Sequence, residues 1–301
     1  MPRSPDTPTL HVIGNVTEDI AFRVPALPRP GETLIADART ADLGGKGLNQ
    51  AVIAARSGVA VRLLAPVGED EVAACAAALA KAEGIAATLP ALAPASDQSV
   101  IWVATSGENV IVSSAAAAGA LDAAAVDAFL EAAAPGDSLL LQGNLSRAAT
   151  AAGLSRARAS GLATIANPSP IRWDWTGLWA EVDLAVVNRL ELATLTGADG
   201  LEDGIAALHR AGARTVLVTM GAEGALLDGP NGRVVQPAAP ADVIDTAGAG
   251  DTLCGVYVAR RMLGDAPGAA LAWAARAAAV TIARPGTHGA FPDRAALART
   301  P

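Results

Sequence analysis

The sequence is short of cysteine and of long hydrophobic runs, and each shortage excludes a class of protein. Two cysteines, Cys75 and Cys254, cannot build a disulfide framework in 301 residues, so we expect a reducing, cytoplasmic environment. Hydrophobic residues make up 51% of the chain. Even so, no stretch approaches the roughly 20 unbroken apolar residues of a membrane-spanning helix. Residues 1–8 are polar and Pro-rich and lack a signal-peptide core, which predicts a loose tail.

Basic residues are also scarce, and lysine is the scarcest. The formal net charge of −8 argues against a nucleic-acid binder, because affinity for a phosphate backbone needs a basic surface. Any anionic ligand must then be held by backbone N–H groups, by a few cationic side chains or by a metal ion. Of the 22 basic residues only Lys46 and Lys81 are lysine. Lys46 lies inside a glycine cluster, which favours a specific role for its compact ammonium over a solvated surface position.

Buried strands alternate with helices along most of the chain. The runs "LHVIGN", "DSLLLQGN", "LATIANP", "VDLAVVN" and "RTVLVTMG" are short and apolar, and helical segments separate the later ones. Unbroken apolar strands between helices indicate a parallel sheet covered on both faces. The sequence therefore predicts an α/β fold with a doubly wound, mainly parallel sheet flanked by helices, in a single domain over residues 1–301. "GALLDG" and "GRVVQPA" are predicted to be edge strands.

Two segments do not follow this alternation and predict a small separate sheet. Residues 18–24 and 32–40 have the partial alternation of strands with one exposed face, and a Pro-rich connection joins them. Residues 97–114 form a hairpin pattern around a turn at 106–109. We expect a β-sheet lid built from about 16–40 and 97–114. Apolar residues of the hairpin predict a homodimer through the lid sheets, and Trp102 could line either that interface or a ligand pocket.

Two glycine-rich turns, "LGGKGLNQ" and "DTAGAGDTLCG", each open a predicted helix. Neither has P-loop spacing, and no strand is followed by the dinucleotide-binding glycine pattern, so an NAD-dependent enzyme is disfavoured. In the second turn the small residues at 248–250 precede Asp251. The free N–H groups of a helix N-terminus bind anions. Asp251 is therefore either the N-cap of this helix or a functional carboxylate beside an anion site.

Four further segments accompany the two turns: "GNVTED", "NRLE", "VTMGAEG" and "ARPGTHGAFP". The turns, with these segments in this order, resemble the ribokinase-like (PfkB) carbohydrate kinases over nearly the whole chain. The resemblance implies a doubly wound sheet, a β lid over the sugar, and Mg²⁺-dependent transfer of the γ-phosphate of ATP to a sugar hydroxyl. It implies that Asp251 is the general base and that Gly248, Ala249 and Gly250, with the N–H of Asp251, form the anion hole. Phosphoryl transfer depends mainly on positioning and charge stabilisation, which such a turn supplies.

The resemblance also implies which residues hold each ligand. The sugar-binding positions are Thr17, Asp19, Gly44, Gly45, Lys46, Asn49, Asn144 and Asp251. The ATP-binding positions, with Mg²⁺ held through water near Glu191, are Asn188, Glu191, Thr219, Gly221, Gly224, Gly248 and Gly250. A K⁺ site used by many relatives would be formed by Asp245, Ala247, Thr281, Arg284, Gly286 and Ala290, mostly through backbone oxygens.

Several positions depart from the family pattern and leave alternatives open. Thr17 and Asn144 stand where ribokinases often carry Asn and an acidic residue, so the sugar could be ribose-like or fructose-like. Ala290 replaces a frequent Ser at the K⁺ site. A nucleoside kinase on the same scaffold and a non-catalytic sugar or nucleotide sensor are the alternative functions.

Simpler structural roles are also open for individual residues. Asn188 and Glu191 could be only a helix cap and its first-turn acid, and Asp19 only a charge on an edge strand. Structural roles are expected for His11 and Cys254 and a surface position for His209, while His288 could approach adenine.

Overall fold

The structure is a computed structural model and describes residues 8–106 and 108–298. The predicted tail at 1–8 therefore lies almost entirely outside the described residues, as does Gly107 of the predicted hairpin turn. In the described part of the chain, no helix is both long and apolar enough to cross a membrane.

Thirteen strands and ten α-helices are defined in that part. The strands are β1 Thr9–Ile13, β2 Thr17–Val24, β3 Ala38–Gly44, β4 Ala60–Leu64, β5 Ala86–Thr88, β6 Asp97–Ala104, β7 Asn109–Ser113, β8 Ser138–Gln142, β9 Ala163–Asn167, β10 Leu184–Asn188, β11 Thr215–Thr219, β12 Ala225–Gly229 and β13 Gly232–Gln236. The helices are α1 Lys46–Arg56, α2 Glu71–Glu83, α3 Ala116–Gly119, α4 Ala123–Leu130, α5 Arg147–Ala159, α6 Arg189–Thr196, α7 Leu201–Ala211, α8 Ala249–Met262, α9 Pro267–Ile282 and α10 Arg294–Ala298.

The larger sheet has nine strands in the order β13-β12-β11-β10-β9-β8-β1-β4-β5. The strands from β11 to β5 pair in parallel, and β12 and β13 add antiparallel strands at one edge, as predicted. The chain moves from β1 outward to β4 and β5, and then returns to β8 on the other side of β1. In open α/β sheets, ligands bind beyond the carboxyl ends of the strands at such a reversal. The topology therefore places a binding site beyond β1 and β8.

Two hydrophobic cores cover the two faces of this sheet. Alternate residues of one strand enter different cores: Leu140 packs with α1, α8 and α9, whereas Leu139 and Leu141 pack with α4, α5 and α7. All three leucines are fully buried. Burial on both faces explains why these strands read as continuous apolar runs, and the predicted doubly wound fold is confirmed.

The smaller sheet has four strands in the order β3-β2-β6-β7, with β2 and β6 parallel at its centre. It is drawn from both expected segments, but its second strand lies at Ala38–Gly44 and not at 32–40, so that boundary is wrong. Cross-strand pairing sets the register from Arg23 opposite Ala38 to Thr17 opposite Gly44. Residues 32–37 belong to the connecting loop, where Ile35 is 88% exposed. This pairing places the glycine cluster beside the start of β2.

Candidate active site

Asp251 lies in the first turn of α8, with its carboxylate directed toward α1. The helix begins after Gly248, its N-cap, and no side chain caps it, so the interpretation of Asp251 as an N-cap is wrong. Asp251 is the third helical residue and is 6% exposed. Its Oδ2 accepts a hydrogen bond from Asn49 Nδ2 at 2.8 Å, and its Oδ1 accepts one from Gln50 Nε2 at 2.9 Å. Two helices that are distant in sequence therefore converge on one buried carboxylate.

The turn before Asp251 leaves the end of α8 accessible. Gly248 has φ of +74°, and a Cβ there would lie 2.6 Å from the ring of Phe291, so only glycine fits. Ala249 N donates to Thr246 O at 3.3 Å. Gly250 is exposed, and a Cβ added to it would meet nothing within 4 Å. The N–H groups of Gly250 and Asp251 belong to the first turn, which has no intrahelical acceptor.

The glycine cluster before α1 packs against the start of the lid. Gly44 ends β3 beside Asp19 on β2, and a Cβ on Gly44 would lie 1.9 Å from the Asp19 carboxylate. Gly45 is the N-cap of α1, and Lys46 is its first residue. These contacts bring the lid carboxylate and the start of α1 to the same place.

Asp19 belongs to a central strand of the lid sheet, so the edge-charge interpretation is wrong. Its Oδ1 accepts a hydrogen bond from Thr17 Oγ1 at 2.7 Å. Burial raises the pKa of Asp19, and this effect exceeds the opposing effect of the hydroxyls of Thr17 and Ser99. A partly desolvated carboxylate of this kind is suited to accept hydrogen bonds from ligand hydroxyls.

Lys46 places a cation beside Asp251. Its Nζ lies 3.5 Å from Asp251 Oδ1, and the side chain is 32% exposed. Burial lowers the pKa of Lys46, but the negative charges of Asp251 and Glu191 outweigh it, and the net pKa is raised. Lys46 therefore stays protonated at neutral pH.

Three buried amides that sequence reasoning missed continue the network behind Asp251. Gln50 follows Asn49 on α1, Gln142 ends β8 and Asn167 ends β9. Gln50 Nε2 donates to Asn167 Oδ1 at 3.0 Å, and Gln50 Oε1 accepts from Gln142 Nε2 at 2.8 Å. The sequence does carry a signal for two of them: "LLLQ" and "TIAN" each end an apolar strand with an amide. Because parallel strands end at the same edge of a sheet, these amides can be expected to lie close together.

Asn144 lies just beyond β8, on the same edge. Its side chain is buried, and Oδ1 has no hydrogen-bond partner among the described residues. Arg172 donates to its backbone oxygen and holds the segment in place. Asn49 Oδ1 is likewise buried without a partner in this part of the chain. Asn49 thus offers an unsatisfied amide oxygen beside Asp251, and Asn144 offers another just beyond the end of β8.

The predicted nucleotide residues lie further along the sheet edge. Asn188 and Thr219 end β10 and β11 and are paired in register. Asn188 and Glu191 form a capping box: Asn188 Oδ1 accepts from Glu191 N, and Glu191 Oε2 accepts from Asn188 N, both at 2.8 Å. The cap interpretation is therefore correct for this pair. The capping box uses Oε2 of Glu191, so the other carboxylate oxygen is available to other partners.

The remaining nucleotide and cation positions lie in loops. Gly221 and Gly224 flank the turn after β11. Asp245 joins the loops before α8 and after α9, accepting from Ala247 N at 2.9 Å and from Gly286 N at 3.1 Å.

The side chains at the predicted K⁺ positions offer few free ligands. The hydroxyl of Thr281 bonds with Thr252 Oγ1 at 2.9 Å, Arg284 is exposed and Ala290 is fully buried. Within residues 8–106 and 108–298, no cluster of three or more His, Cys, Asp or Glu residues could hold a metal ion. Backbone oxygens are therefore the donors that this region offers a cation.

The histidines and the buried cysteine lie in partly or fully buried positions. His11 is buried against Asp137, with Nε2 and Oδ2 2.9 Å apart. His209 is half-buried, with Nε2 3.0 Å from Asp228 Oδ1, so the expectation of a simple surface residue is wrong. Burial lowers the pKa of His288 to about 4 and raises that of Cys254 to about 12. Both side chains are uncharged at neutral pH.

Comparison with known proteins assigns the chain to a family. The pattern of the pfkB family carbohydrate kinases matches residues 8–294. The chain is 29% identical over 293 residues to the ribokinase of Haemophilus influenzae, covering 95% of this chain and 96% of that protein. It is 29% identical over 290 residues to a deoxyribokinase of Salmonella typhimurium, covering 94% and 95% respectively.

A solved structure shares the fold described above. Arabidopsis thaliana ribokinase, complexed with ribose and ATP, matches with a TM-score of 0.83 and 25% identity over 97% of each chain. The ribokinase-like arrangement of a large, mostly parallel sheet with a small separate sheet is therefore confirmed. The chain belongs to the pfkB family of carbohydrate kinases, which transfer phosphate to an alcohol group.

Proposed function

We propose that this chain phosphorylates a small ribose- or fructose-like sugar with ATP, using Asp251 as the general base and the 248–251 turn as the anion hole. The observation that carries the proposal is a buried carboxylate beside the accessible N-terminus of α8. Asp251 is 6% exposed, whereas Gly250 next to it faces open space. A phosphoryl group can reach the backbone N–H groups while a hydroxyl reaches the carboxylate.

The proposed transfer is a single in-line displacement. The sugar oxygen forms a bond to the γ-phosphorus as the bond from that phosphorus to the bridging oxygen of ADP breaks. Asp251 accepts the hydroxyl proton as the oxygen attacks, and the proton returns to solvent after the products leave. The N–H groups of Gly250 and Asp251 donate to the transferring phosphoryl oxygens. The ammonium of Lys46, which lies 3.5 Å from Asp251 Oδ1, adds positive charge beside this group.

Hydroxyl-rich substrates fit the acceptors that surround Asp251. Asp19 is ready to accept hydrogen bonds, and the buried amide oxygens of Asn49 and Asn144 have no partner among the described residues. Buried acceptors are costly unless a donor satisfies them, and a sugar supplies several donors. Thr17, bonded to Asp19, supports that carboxylate, and Gly44 and Gly45 allow the ligand to approach the backbone.

We place ATP along the sheet edge beyond Asp251, against Asn188, Thr219, Gly221 and Gly224. Mg²⁺ would be held through water near Glu191, and it would neutralise charge on the phosphates. K⁺ would be held by backbone oxygens of the loops that Asp245 joins, at 245–247 and 281–290, and would strengthen the electrostatic environment of the anion hole.

The lid is proposed to close over the sugar and to form a dimer interface. β7 is exposed along its whole length, and Ile111 and Val112 are 56% and 57% exposed. Closure would exclude water from the transferring phosphate. A second copy would cover these apolar side chains, and sedimentation of a monomer at micromolar concentration would contradict this arrangement.

A cytoplasmic protein with small-molecule partners agrees with the surface chemistry. Cys75 and Cys254 are both free thiols, and the formal net charge is −8. Reduced cysteines are typical of the cytoplasm, and a net negative charge disfavours binding to nucleic acid or to anionic membranes.

Two measurements test the proposal. The first is ADP release with ATP and a panel of ribose, deoxyribose, fructose and nucleosides. We expect turnover with a pentose or ketose, and turnover confined to nucleosides would favour a nucleoside kinase.

The second measurement compares the wild type with Asp251→Asn. We expect this variant to lose turnover while it still binds the sugar in a calorimetric titration. Substantial activity in this variant would contradict the assignment of the base. ATP binding by the wild type without sugar-dependent ADP release would indicate a sensor.

A further inference from the structure

Gln50 is a fully buried amide whose three hydrogen bonds are all made within the site. Its Nε2 donates to Asp251 Oδ1 at 2.9 Å and to Asn167 Oδ1 at 3.0 Å. Its Oε1 accepts from Gln142 Nε2 at 2.8 Å. Gln50 and Gln142 are 0% exposed, and Asn167 is 7% exposed. The sheet edge is thereby connected to the carboxylate of Asp251 without any other ionisable group in the chain of bonds.

The orientation of each amide is fixed by an obligate acceptor. Asn167 Nδ2 donates to Val186 O at 2.8 Å, and a backbone carbonyl can only accept, so Asn167 Oδ1 must face Gln50. Asp251 can only accept when it is ionised, so Gln50 must present Nε2 to it. A rotated Gln50 amide would set its oxygen against two acceptors at once. The network therefore permits one direction of donation, which is toward Asp251.

Asn49 and Gln50 together hold the two oxygens of Asp251. Each donates to a different carboxylate oxygen, which fixes the plane of the group. Lys46 Nζ also lies 3.5 Å from Oδ1, so Oδ2 is the oxygen left with a lone pair for the substrate hydroxyl. Hydrogen bonds to an ionised acceptor are stronger than those between neutral groups, and they favour the ionised form. A base held in this way meets the substrate hydroxyl already aligned.

We infer that Gln50, oriented by Asn167 and Gln142, is a positioning residue that keeps Asp251 aligned for phosphoryl transfer. The inference rests on the proposed function of Asp251 as the base. Gln50 acts through that carboxylate and need not touch the sugar or ATP.

The other titratable groups near Asp251 come from residues that a Gln50 substitution leaves in place. Lys46 on α1 is 3.5 Å from Oδ1, and Asp19 on β2, Cys254 on α8 and His288 after α9 all interact with it electrostatically. A change in the pH profile on substitution of Gln50 therefore reports the loss of its donated bond.

The test compares kinetics of the wild type, Gln50→Met and the control Gln236→Met, with ATP and the accepted sugar, between pH 4.5 and 9. Met matches the shape of Gln but cannot donate, and Gln236 lies on the edge strand β13. For Gln50→Met we expect kcat to fall on the order of 10- to 100-fold. The acid limb of its kcat profile should move to higher pH, because a donor to the carboxylate is lost. The KM for ATP should change less than about twofold, since Gln50 acts through Asp251.

Gln50→Glu serves as a second variant with nearly the same shape and an acceptor retained for Gln142. It places a carboxyl group against Asp251, so the pair should share a proton and the acid limb should move further to higher pH than in Gln50→Met. This keeps the inference testable if Gln50→Met does not fold.

Unchanged kcat in Gln50→Met, or a lowered kcat with an unmoved acid limb, would overturn the inference and leave a packing role. The proposed function fails separately, through activity in Asp251→Asn. An inactive Asp251→Asn together with wild-type behaviour of Gln50→Met would reject only the role of Gln50.

Discussion

Asn49 and Asp251, which are 202 positions apart in the chain, are joined by a hydrogen bond of 2.8 Å between Nδ2 and Oδ2. The two residues come from the two glycine-rich turns, so this bond connects the turn before α1 to the turn before α8. Asn49 Oδ1 is left as a buried acceptor with no partner among the described residues. One side chain thus holds Asp251 and still offers an acceptor to a ligand.

Replacing Asn49 with Leu should impair both sugar binding and turnover. The variant removes the donor to Asp251 Oδ2 and the acceptor offered to the sugar, so we expect kcat/KM for the sugar to fall on the order of 10²-fold. Asn231→Leu, in the exposed β12–β13 turn, is the matched control and should retain activity. An Asn49→Leu variant with wild-type kcat/KM would show that this bond has no catalytic importance.

Replacing Gly44 with Ala should weaken sugar binding selectively. The added Cβ would lie 1.9 Å from the Asp19 carboxylate and would displace it, so we expect the sugar KM to rise by about tenfold or more, with little change for ATP. Gly268→Ala is the control, because its Cβ would make only an ordinary contact of 3.8 Å with Val234. Steady-state kinetics with each substrate varied in turn measure both values. Equal effects on the two substrates would indicate general distortion.

Replacing Lys46 with Met should slow the chemical step. Loss of a cation beside the transferring group is expected to lower kcat on the order of 10²-fold, comparable with removal of a donor from an oxyanion hole. The chain provides an exact chemical control, since Lys81→Met removes the other lysine from an exposed position on α2. Comparable kcat values for the two variants would show that Lys46 has no catalytic role and is only a solvated lysine.

Acid should destabilise the fold through Asp137. Burial raises the pKa of this carboxyl, but bonds from Thr9 N, Ala134 N and His11 outweigh burial and lower its pKa below the ordinary value. A lowered folded-state pKa gives stability that is complete above the unfolded value of about 4 and is lost as pH falls toward the folded value.

Asp137→Asn tests this assignment by chemical unfolding at pH 3 to 7. We expect the free energy of unfolding to fall by about 2 kcal/mol at pH 7, because bonds to a charged acceptor are lost. The difference between the variant and the wild type should shrink below about pH 4. A difference that is constant across this range would exclude the carboxylate charge as its source.

The main sheet could be predicted from the sequence because burial on both faces leaves a clear pattern. A residue such as Leu140 has apolar neighbours on both sides in the chain, so its strand is recognisable without knowing what it pairs with. The strand at 38–44 was misplaced because its limits depend on cross-strand pairing with β2. Local alternation at 32–40 carries no information about that partner.

Site residues could be predicted only where the residues that act together are adjacent in the sequence. Asp251 could be selected because small residues and a carboxylate are adjacent in one turn, but the direction of its side chain depends on α1. Gln50 was missed for the same reason: its partners Asn167 and Gln142 come from other strands. For Asp19 the sequence leaves an edge charge open beside the sugar-binding role, because local sequence does not reveal the order of strands within the lid.

Only Gly45 separates the last residue of β3 from the first residue of α1. A Cβ at this position would lie 2.8 Å from Asn15 O, so the joint is held against the segment that leads into β2. β3 and α1 are therefore joined without a flexible linker. In the proposed closure, movement of the lid would turn the end of α1 that carries Lys46, so sugar binding and alignment of the reacting groups would be coupled.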